Sequence, residues 1–271
     1  MTTLKHIPAP PLSEIVELFW FSSRVASAVQ SVPREAILPD GCAHLVINLS
    51  ENRIELYEQI ESTRLTAVSG VIFSGPRSSP YAFVPNASSV VGVVFRPGGI
   101  FRILSAPTEE FSNSRVPLEL LNGGEVLRER LVAAPTPAAK FVLLERFLLR
   151  QLQQSRPLHR AVRYAVSAFE QDSFLSVTEV LHKIGLSERR FSRVFTEQVG
   201  LRPKVFQRVR RFQNTMASLP SRGGVDWAGT ASANGYYDQA HLINDFRAFS
   251  SVTPAEFFAR DVVQRNHLPL R

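Results

Sequence analysis

The sequence has very little cysteine, methionine or tryptophan, with one, two and two residues among 271. The single cysteine, Cys42, excludes an intrachain disulfide and any metal site built from several cysteines. The longest apolar runs, such as VVGVVF at 90–95, are far too short to span a bilayer. The first residues, MTTLKHIPAPPLSE, hold no apolar stretch of signal-peptide length. These absences favour a soluble protein of the cytoplasm.

Net charge is missing from residues 1–154, which hold 14 basic and 14 acidic residues. Residues 155–271 hold 17 basic and 10 acidic residues, and so contain the whole excess of +7. This asymmetry predicts two domains, of which the basic one faces a polyanion. The alternative is a basic surface that binds no particular partner. Net charge alone does not decide between the two, because it informs about association rather than fold.

The first hundred residues alternate between apolar and polar positions as strands do. β-branched and aromatic residues dominate the candidate strands, and turn residues separate them. The candidates are EIVELFWFS (14–22), AHLVINLS (43–50), RIELYE (53–58), LTAVSGVIFS (65–74), YAFVP (81–85) and SVVGVVFRP (89–97). Short strands at this spacing predict a β-rich barrel or sandwich-like domain.

After Pro97 the apolar period changes to that of helices. The segments GIFRILSA, GEVLRERLVA (124–133) and PAAKFVLLERFLLRQLQQ (137–154) are predicted helices. The apolar stripe of 137–154 is wide enough to cover its own domain and also to meet a second copy of the chain, and both interpretations stay open. A polar break with a proline at 153–158 predicts a domain boundary, giving 1–154 and 155–271.

The basic half contains one pattern twice. SERRFSRVFTEQVGLRPKVF (187–206) and DQAHLINDFRAFSSVTPAEF (238–257) align at a constant shift of 51 residues. Each copy is predicted to be a helix, a tight turn and a second helix. Capping residues begin the helices and glycines allow the turns. The caps are Ser176 with Glu179, Ser187, Asp238 and Thr253 with Glu256, and the turn glycines are Gly185 and Gly235.

The outer faces of the two second helices carry hydrogen-bonding and basic side chains. The predicted DNA-contacting residues are Ser187, Arg189, Arg190, Ser192 and Arg193 in the first copy and Gln239, Ala240, His241, Asn244 and Arg247 in the second. Arginine can bind guanine edges or phosphates, and Gln and Asn can pair with adenine. A helix over 203–219 would hold the two units about 25 Å apart, near the repeat of one DNA turn.

The basic half resembles the C-terminal DNA-binding domain of AraC/XylS-type bacterial transcription regulators. The resemblance covers about 157–260 and is specific at GLSERRFSRVFTEQVGLRP (185–203) and GYYDQAHLINDFRAFSSVTPAEF (235–257). It implies seven helices, sequence-specific binding of double-stranded DNA and contact with RNA polymerase. The sequence departs from the pattern at Ala240, Leu242 and Asn244. Asp245 is expected to add a negative charge to the second recognition helix and weaken its hold on DNA.

The first half resembles a poorly characterised sensory domain found ahead of such DNA-binding units. The stretches that match are ILPDGCAHLVINL (37–49), VVGVVFRPGGIFRIL (90–104) and VPLELL (116–121). The resemblance implies a transcription regulator, an activator or a repressor, that responds to an unknown small-molecule effector or another signal. No cofactor is implied.

Three residues of the first half are candidate effector contacts: His44, Asn48 and Arg96. His44 and Asn48 share one face of a predicted strand, and a mixed polar and apolar face suits a ligand pocket. Structural hydrogen bonding of the same two residues is the alternative. Cys42 and His44 alone do not make a metal or nucleophile site. An enzyme fused to a basic helical module, and a pure interaction module, are the rival functions, but no phosphate loop, zinc motif or nucleophile elbow supports an enzyme.

Overall fold

The computed structural model of the chain describes residues 2–24, 34–57, 60, 62–104, 106–116, 118–124, 126–153, 156–172, 174–219, 225–260 and 266–270. In chain order its strands are β1 (Thr2–His6), β2 (Val16–Ser23), β3 (Glu35–Ile37), β4 (His44–Asn48), β5 (Ile54–Tyr57), β6 (Thr66–Val68), β7 (Val71–Ser74), β8 (Tyr81–Phe83), β9 (Ser89–Phe95) and β10 (His267–Pro269). They form two five-stranded antiparallel sheets, ordered β1-β2-β9-β4-β7 and β10-β3-β8-β5-β6. The predicted β-rich first domain is confirmed.

The segment 65–74, predicted to be one strand, is two strands that lie in different sheets. Strand β6 pairs with β5, whereas β7 pairs with β4. The break falls at Ser69 and Gly70, where a Cβ on Gly70 would lie 2.8 Å from the Glu51 carbonyl oxygen. The close approach of backbone there requires glycine and interrupts the strand.

In chain order the α-helices of the described residues are α1 (Leu127–Ala133), α2 (Pro137–Leu152), α3 (Arg160–Gln171), α4 (Val177–Ile184), α5 (Glu188–Val199), α6 (Pro203–Ser218), α7 (Trp227–Ala233), α8 (Gln239–Ser250) and α9 (Pro254–Phe258). The seven from α3 onward agree with the number that the resemblance implied. The predicted boundary between residues 154 and 155 lies outside the described residues.

The prediction of a helix for GIFRILSA is wrong, because the structure has a three-residue 3-10 helix at Ile100–Arg102. Ile100, Phe101, Ile103 and Leu104 are all buried. A run that is buried on every side shows no clear helical stripe, so its period does not identify the element. Pro107 follows soon afterwards and does not favour a continuing helix.

The main core of the first domain lies between the first sheet and helix α2. Phe19, Leu45 and Val93 of the sheet share this core with Leu144 and Leu148 of α2. These side chains are fully buried, and burial of each such side chain contributes about 1.5–3 kcal/mol. Helix α2 is therefore part of the sensory domain.

Helix α6 is shared by two further cores. Phe206 lies with Phe195 and Val199 in the core of the first helix-turn-helix unit. Val209 and Phe212 lie with Phe246 in the core of the second unit. The 16 residues of α6 span about 24 Å, so a single rigid helix holds both units at a fixed separation.

The second unit is also joined to the sensory domain. Its core includes Ala36 and Leu38, from strand β3 and the residues after it, and Leu268 of strand β10. Strand β10 pairs with β3, with Leu268 opposite Ala36, so the end of the chain completes the edge of the second sheet. The two sequence halves therefore share a core as well as a strand pair.

Candidate nucleic-acid interface

The first helix-turn-helix unit is built by the caps and the turn that the sequence predicts. The Ser176 hydroxyl accepts the Glu179 backbone N–H at 3.2 Å, and the Glu179 carboxylate accepts the Ser176 N–H at 2.7 Å. The pKa of Glu179 is lowered by the hydrogen bonds that its carboxylate accepts from the Ser176 hydroxyl, at 2.7 Å, and from the Ser176 backbone N–H. Gly185 then ends α4 in the left-handed region at φ +65°, which only glycine adopts without strain. The Ser187 hydroxyl accepts the Arg190 N–H and begins α5.

Helix α5 presents its basic side to solvent. Phe191, Phe195 and Val199 are buried in the unit's core. Ser187, Arg189, Arg190 and Arg193 are exposed and Ser192 is half-buried. The amphipathic division leaves three guanidinium groups free of the core, on the second helix of a helix-turn-helix.

The second unit repeats this construction. Gly235 makes the turn at φ +74°, and the Asp238 carboxylate accepts the His241 N–H at 2.7 Å at the start of α8. Asp238 is thus a helix cap. Along α8, the exposed predicted residues are Gln239, Ala240, Asn244 and Arg247. We call these four, with His241, the second recognition face.

His241 differs from the other residues of the second recognition face because its side chain also contacts the turn before α8. It is half-buried, and its ring packs edge-on against Tyr236 at 5.2 Å between ring centres. Its Nδ1 accepts the Tyr237 backbone N–H at 3.4 Å. One side of the ring therefore supports the turn, and the rest stays on the outer side of α8.

The prediction that Asp245 adds a negative charge to the recognition face is wrong. Asp245 is 2% exposed, and Arg208 of α6 donates to its Oδ1 from Nε at 3.0 Å and from Nη2 at 2.6 Å. Asp245 lies three residues after Leu242 and one before Phe246, both of which are buried. Positions i, i+3 and i+4 share one side of a helix, so this spacing could have placed Asp245 inside.

The arginines of helix α6 have intramolecular partners rather than lying free for phosphates. Arg208 pairs with Asp245, and the guanidinium of Arg211 lies over the Tyr236 ring at 5.2 Å. Arg210 lies 3.7 Å from Glu170 and donates to the Asp40 carbonyl oxygen at 3.4 Å. Helix α6 therefore serves mainly as an internal connector.

The three candidate effector contacts in the sensory domain do not come together. The His44 Nε2 and the Asp40 Oδ2 form a hydrogen bond at 2.9 Å. Asn48 is buried, donating to the Arg53 carbonyl oxygen at 2.8 Å and accepting the Ser50 N–H at 2.9 Å. Arg96 is exposed and donates from Nε to the Ser13 carbonyl oxygen at 2.8 Å. Asn48 and Arg96 thus hold loops in place in this conformation.

His44 lines a small cavity where the two sheets face each other. The cavity has a volume of about 20 Å³, which holds about one water. Its wall consists of Ile37, Leu38, Pro39, Asp40, Cys42, His44, Ser74, Arg77, Ser79 and Tyr81. No local pattern in the sequence identifies Arg77 and Tyr81, since only the tertiary fold brings the segment 77–81 beside His44.

Burial and charge set the protonation of the groups at this cavity. Burial raises the pKa of Cys42 well above its usual value, and the neighbouring Asp40 charge raises it further, so the thiol stays protonated. Burial alone would lower the pKa of His44, but the Asp40 charge and hydrogen bond outweigh it and raise the pKa. A protonated, buried thiol is a poor nucleophile and metal ligand.

Loss of the Asp40–His44 pair is expected to destabilise the fold in a pH-dependent way. Because the pKa of His44 is raised on folding, the pair stabilises the protein fully below the unfolded value of about 6.5 and loses this effect as pH rises through the raised value. His44→Gln should lower the free energy of unfolding by about 1 kcal/mol near pH 6 and by much less near pH 9. Urea titrations at both pH values check this, with His182→Gln on the exposed side of α4 as control. An equal loss at both pH values would contradict the charged pair.

Two family models match the chain. Residues 180–260 match a helix-turn-helix domain, and residues 4–117 match a domain of unknown function, DUF6597. No curated protein matches.

Solved structures of ToxT from Vibrio cholerae are similar at low identity. One, at 1.65 Å resolution, has 11% identity and a TM-score of 0.48, covering 96% of this chain and 98% of that one. Apo ToxT K231A has 12% identity and a TM-score of 0.47, covering 89% and 97%.

Two capped helix-turn-helix units on one connecting helix define a DNA-binding protein with two recognition helices. Residues 180–260 match a helix-turn-helix domain, which agrees with the AraC/XylS-type resemblance of the basic half and with a DNA-binding role. No helix in the described part of the chain is long and apolar enough to cross a membrane.

Proposed function

We propose that the chain is a non-enzymatic, cytoplasmic regulator that binds double-stranded DNA with both recognition helices and responds to a small-molecule effector. The observation that supports this most is the pair of capped helices α5 and α8, whose exposed faces carry hydrogen-bonding side chains while α6 fixes their separation. In the first unit, Arg189, Arg190 and Arg193 bind base edges and phosphates. In the second, Gln239 and Asn244 bind base edges, and Arg247 binds phosphate.

The domain division at 154/155 is part of this proposal. The sensory domain ends with helix α2, and the DNA-binding domain begins before helix α3. Strand β10 is the exception, because it follows the DNA-binding helices in sequence but completes the sensory sheet.

The effector site in this proposal is the cavity beside His44. The wall offers a carboxylate, an imidazole, a guanidinium, a phenol, a thiol and two hydroxyls among apolar groups, a mixture suited to a small polar ligand. Because the present volume admits about one water, ligand entry requires the wall to move. Asn48 and Arg96 would act through the loops that they hold rather than by touching the ligand.

Movement of this wall would reach the DNA-binding domain directly. The segment 38–42 lines the cavity through Leu38, Pro39, Asp40 and Cys42, and it also contacts α6. Gln213 of α6 donates to the Pro39 carbonyl oxygen at 2.8 Å, and a Cβ on Gly41 would lie 3.2 Å from the Phe206 ring. A ligand that favours a displaced wall would therefore bias the position of the helix that joins the two recognition units.

Selection of bound duplexes from a random pool, with and without cell extract, tests the proposal. The expected result is a sequence with two half-sites about one helical turn, 10–10.5 base pairs, apart. Cell extract should change the affinity of the chain for that sequence. This change should be smaller for the Arg77→Gln variant. Recovery of no preferred sequence under either condition would contradict DNA reading, whereas an affinity indifferent to extract would contradict only the effector.

A homodimer through helix α2 belongs to the same proposal. Val142 and Leu149 are 42% and 39% exposed on α2, two turns apart on one side, although the opposite side fills the sensory core. Exposed apolar side chains at this spacing suit helix pairing.

RNA polymerase is proposed as a further partner on the resemblance alone.

Leu149→Glu is expected to raise the dissociation constant of such a dimer by about tenfold or more, because a desolvated carboxylate costs well over 1.4 kcal/mol. Sedimentation velocity over a concentration series measures it. Arg150→Glu, an exposed charge change at the neighbouring position, is the control. A chain that is monomeric at all concentrations would remove α2 as an interface and leave DNA reading untouched.

A further inference from the structure

Tyr237 is the most exposed large apolar or aromatic side chain in the described part of the chain. It is 94% exposed, beyond Ile7 at 73% and Phe174 at 60%. It follows Tyr236, which is buried in the core of the second unit, and precedes Asp238, the cap of α8. An aromatic ring held in water at this position lies where DNA meets the recognition helix.

The backbone that presents Tyr237 is held by hydrogen bonds on both sides. The Tyr236 N–H donates to the Ala231 carbonyl oxygen at 3.0 Å. The Tyr237 N–H donates to the His241 ring at 3.4 Å, and Asp238 caps the helix. The phenol therefore projects from a fixed turn immediately before the first residues of α8, and the N-terminal residues of a recognition helix are those that approach DNA.

The internal repeat shows that the turn of the second unit is one residue longer. The caps Ser187 and Asp238 align at a shift of 51 residues, whereas the turn glycines Gly185 and Gly235 align at a shift of 50. Between glycine and cap the first unit has only Leu186, which is half-buried against its core, whereas the second unit has the buried Tyr236 and then Tyr237, which lies in solvent. Packing does not explain a tyrosine there.

The second recognition face carries fewer positive charges than the exposed side of helix α5. Arg189, Arg190 and Arg193 of the first copy correspond to Ala240, His241 and Asn244 of the second. Each missing guanidinium is a missing phosphate or guanine contact. A neutral donor near the start of α8 would restore one backbone hydrogen bond without adding charge.

We propose that Tyr237 is a DNA-backbone contact of the second unit, its phenol O–H donating to a phosphate oxygen beside the groove that α8 enters. Tyrosine is among the side chains that bind phosphate oxygens in protein–DNA complexes. The contact fixes the orientation of the second recognition face and carries no sequence information itself. The inference rests on the proposed DNA reading by both units.

Removal of the hydroxyl alone tests this contact. Tyr237→Phe in the full chain should weaken binding to the tightest duplex from the random pool by about tenfold or more, the value of one hydrogen bond to a charged acceptor. Binding to an unrelated duplex of equal length should weaken by the same factor. The slope of affinity against salt should stay unchanged, because a neutral donor releases no counterion, whereas Arg193→Ala should reduce it by about one.

Two further variants separate the contact from folding. Tyr237→Leu, which removes the ring together with the hydroxyl, should bind at least as weakly as Tyr237→Phe while its unfolding curve matches the wild type. Tyr164→Phe, a part-exposed tyrosine on α3, should leave DNA binding unchanged.

The outcomes distinguish this inference from the proposed function. Wild-type affinity for Tyr237→Phe beside a weakened Arg193→Ala overturns the Tyr237 contact alone. A loss confined to one base pair of the duplex overturns the phosphate assignment in favour of a base contact. Failure of the wild-type chain to prefer any duplex overturns the proposed function itself.

Discussion

Arg193→Ala and Gln239→Ala are each expected to weaken operator binding by about 1–3 kcal/mol, or roughly 5- to 150-fold, because each removes a base-edge contact. Both side chains are exposed on their recognition helices. Folding should be unaffected in both variants. Titration of the selected duplex by fluorescence anisotropy at fixed salt measures the loss.

The two substitutions should differ in their salt dependence. Arg193→Ala removes a charge and should lower the salt slope by about one, whereas Gln239→Ala should leave it unchanged. Glu197→Ala, a half-buried position near the end of α5, is the matched control. Unchanged affinity in both variants would contradict the assignment of the recognition faces.

Arg208→Ala is expected to lower the free energy of unfolding by about 3 kcal/mol, because it leaves the Asp245 carboxylate buried without its partner. The cost should be at the low end of the range for buried pairs, since the Arg208 side chain is 45% exposed and water can enter beside it. Urea unfolding followed by fluorescence and by circular dichroism measures it.

A double variant isolates the pair from the packing around it. Arg208→Met with Asp245→Leu removes both charges and keeps apolar volume, so it should recover most of the lost stability. Arg210→Ala on the same helix, whose nearest carboxylate lies 3.7 Å away on Glu170, should cost less. If Arg208→Ala leaves the free energy of unfolding unchanged, Asp245 is solvated in solution, and its negative charge then lies on the DNA-facing surface.

The DNA-binding half could be predicted from sequence almost completely, because its rules are local. The Ser176–Glu179 capping box, the turn glycine Gly185 and the Thr253–Glu256 box each specify geometry within four residues, and each is present. The repeat then fixed the order of helices. Asp245 is the exception, because its position in the apolar stripe beside Leu242 and Phe246, rather than its charge, decides that it is buried.

The sensory half could be predicted only as a class of fold. Strands β1, β3 and β10 were missed, since β3 and β10 are three residues each and pair with segments far away in sequence. The candidate effector contacts failed to converge for the same reason. Tyr81 reaches the His44 cavity through the pairing of β8 with the distant β3, and Arg77 lies in the segment just before β8, so no local pattern specifies either position.

The central claim is that one chain reads two successive major grooves with α5 and α8. Methylation-interference footprinting of the full chain on its selected duplex tests it most directly. Two interference sites are expected on one face of the DNA, about 10–10.5 base pairs apart, one lost with Arg193→Ala and the other with Gln239→Ala. A single site that Gln239→Ala leaves intact would contradict it.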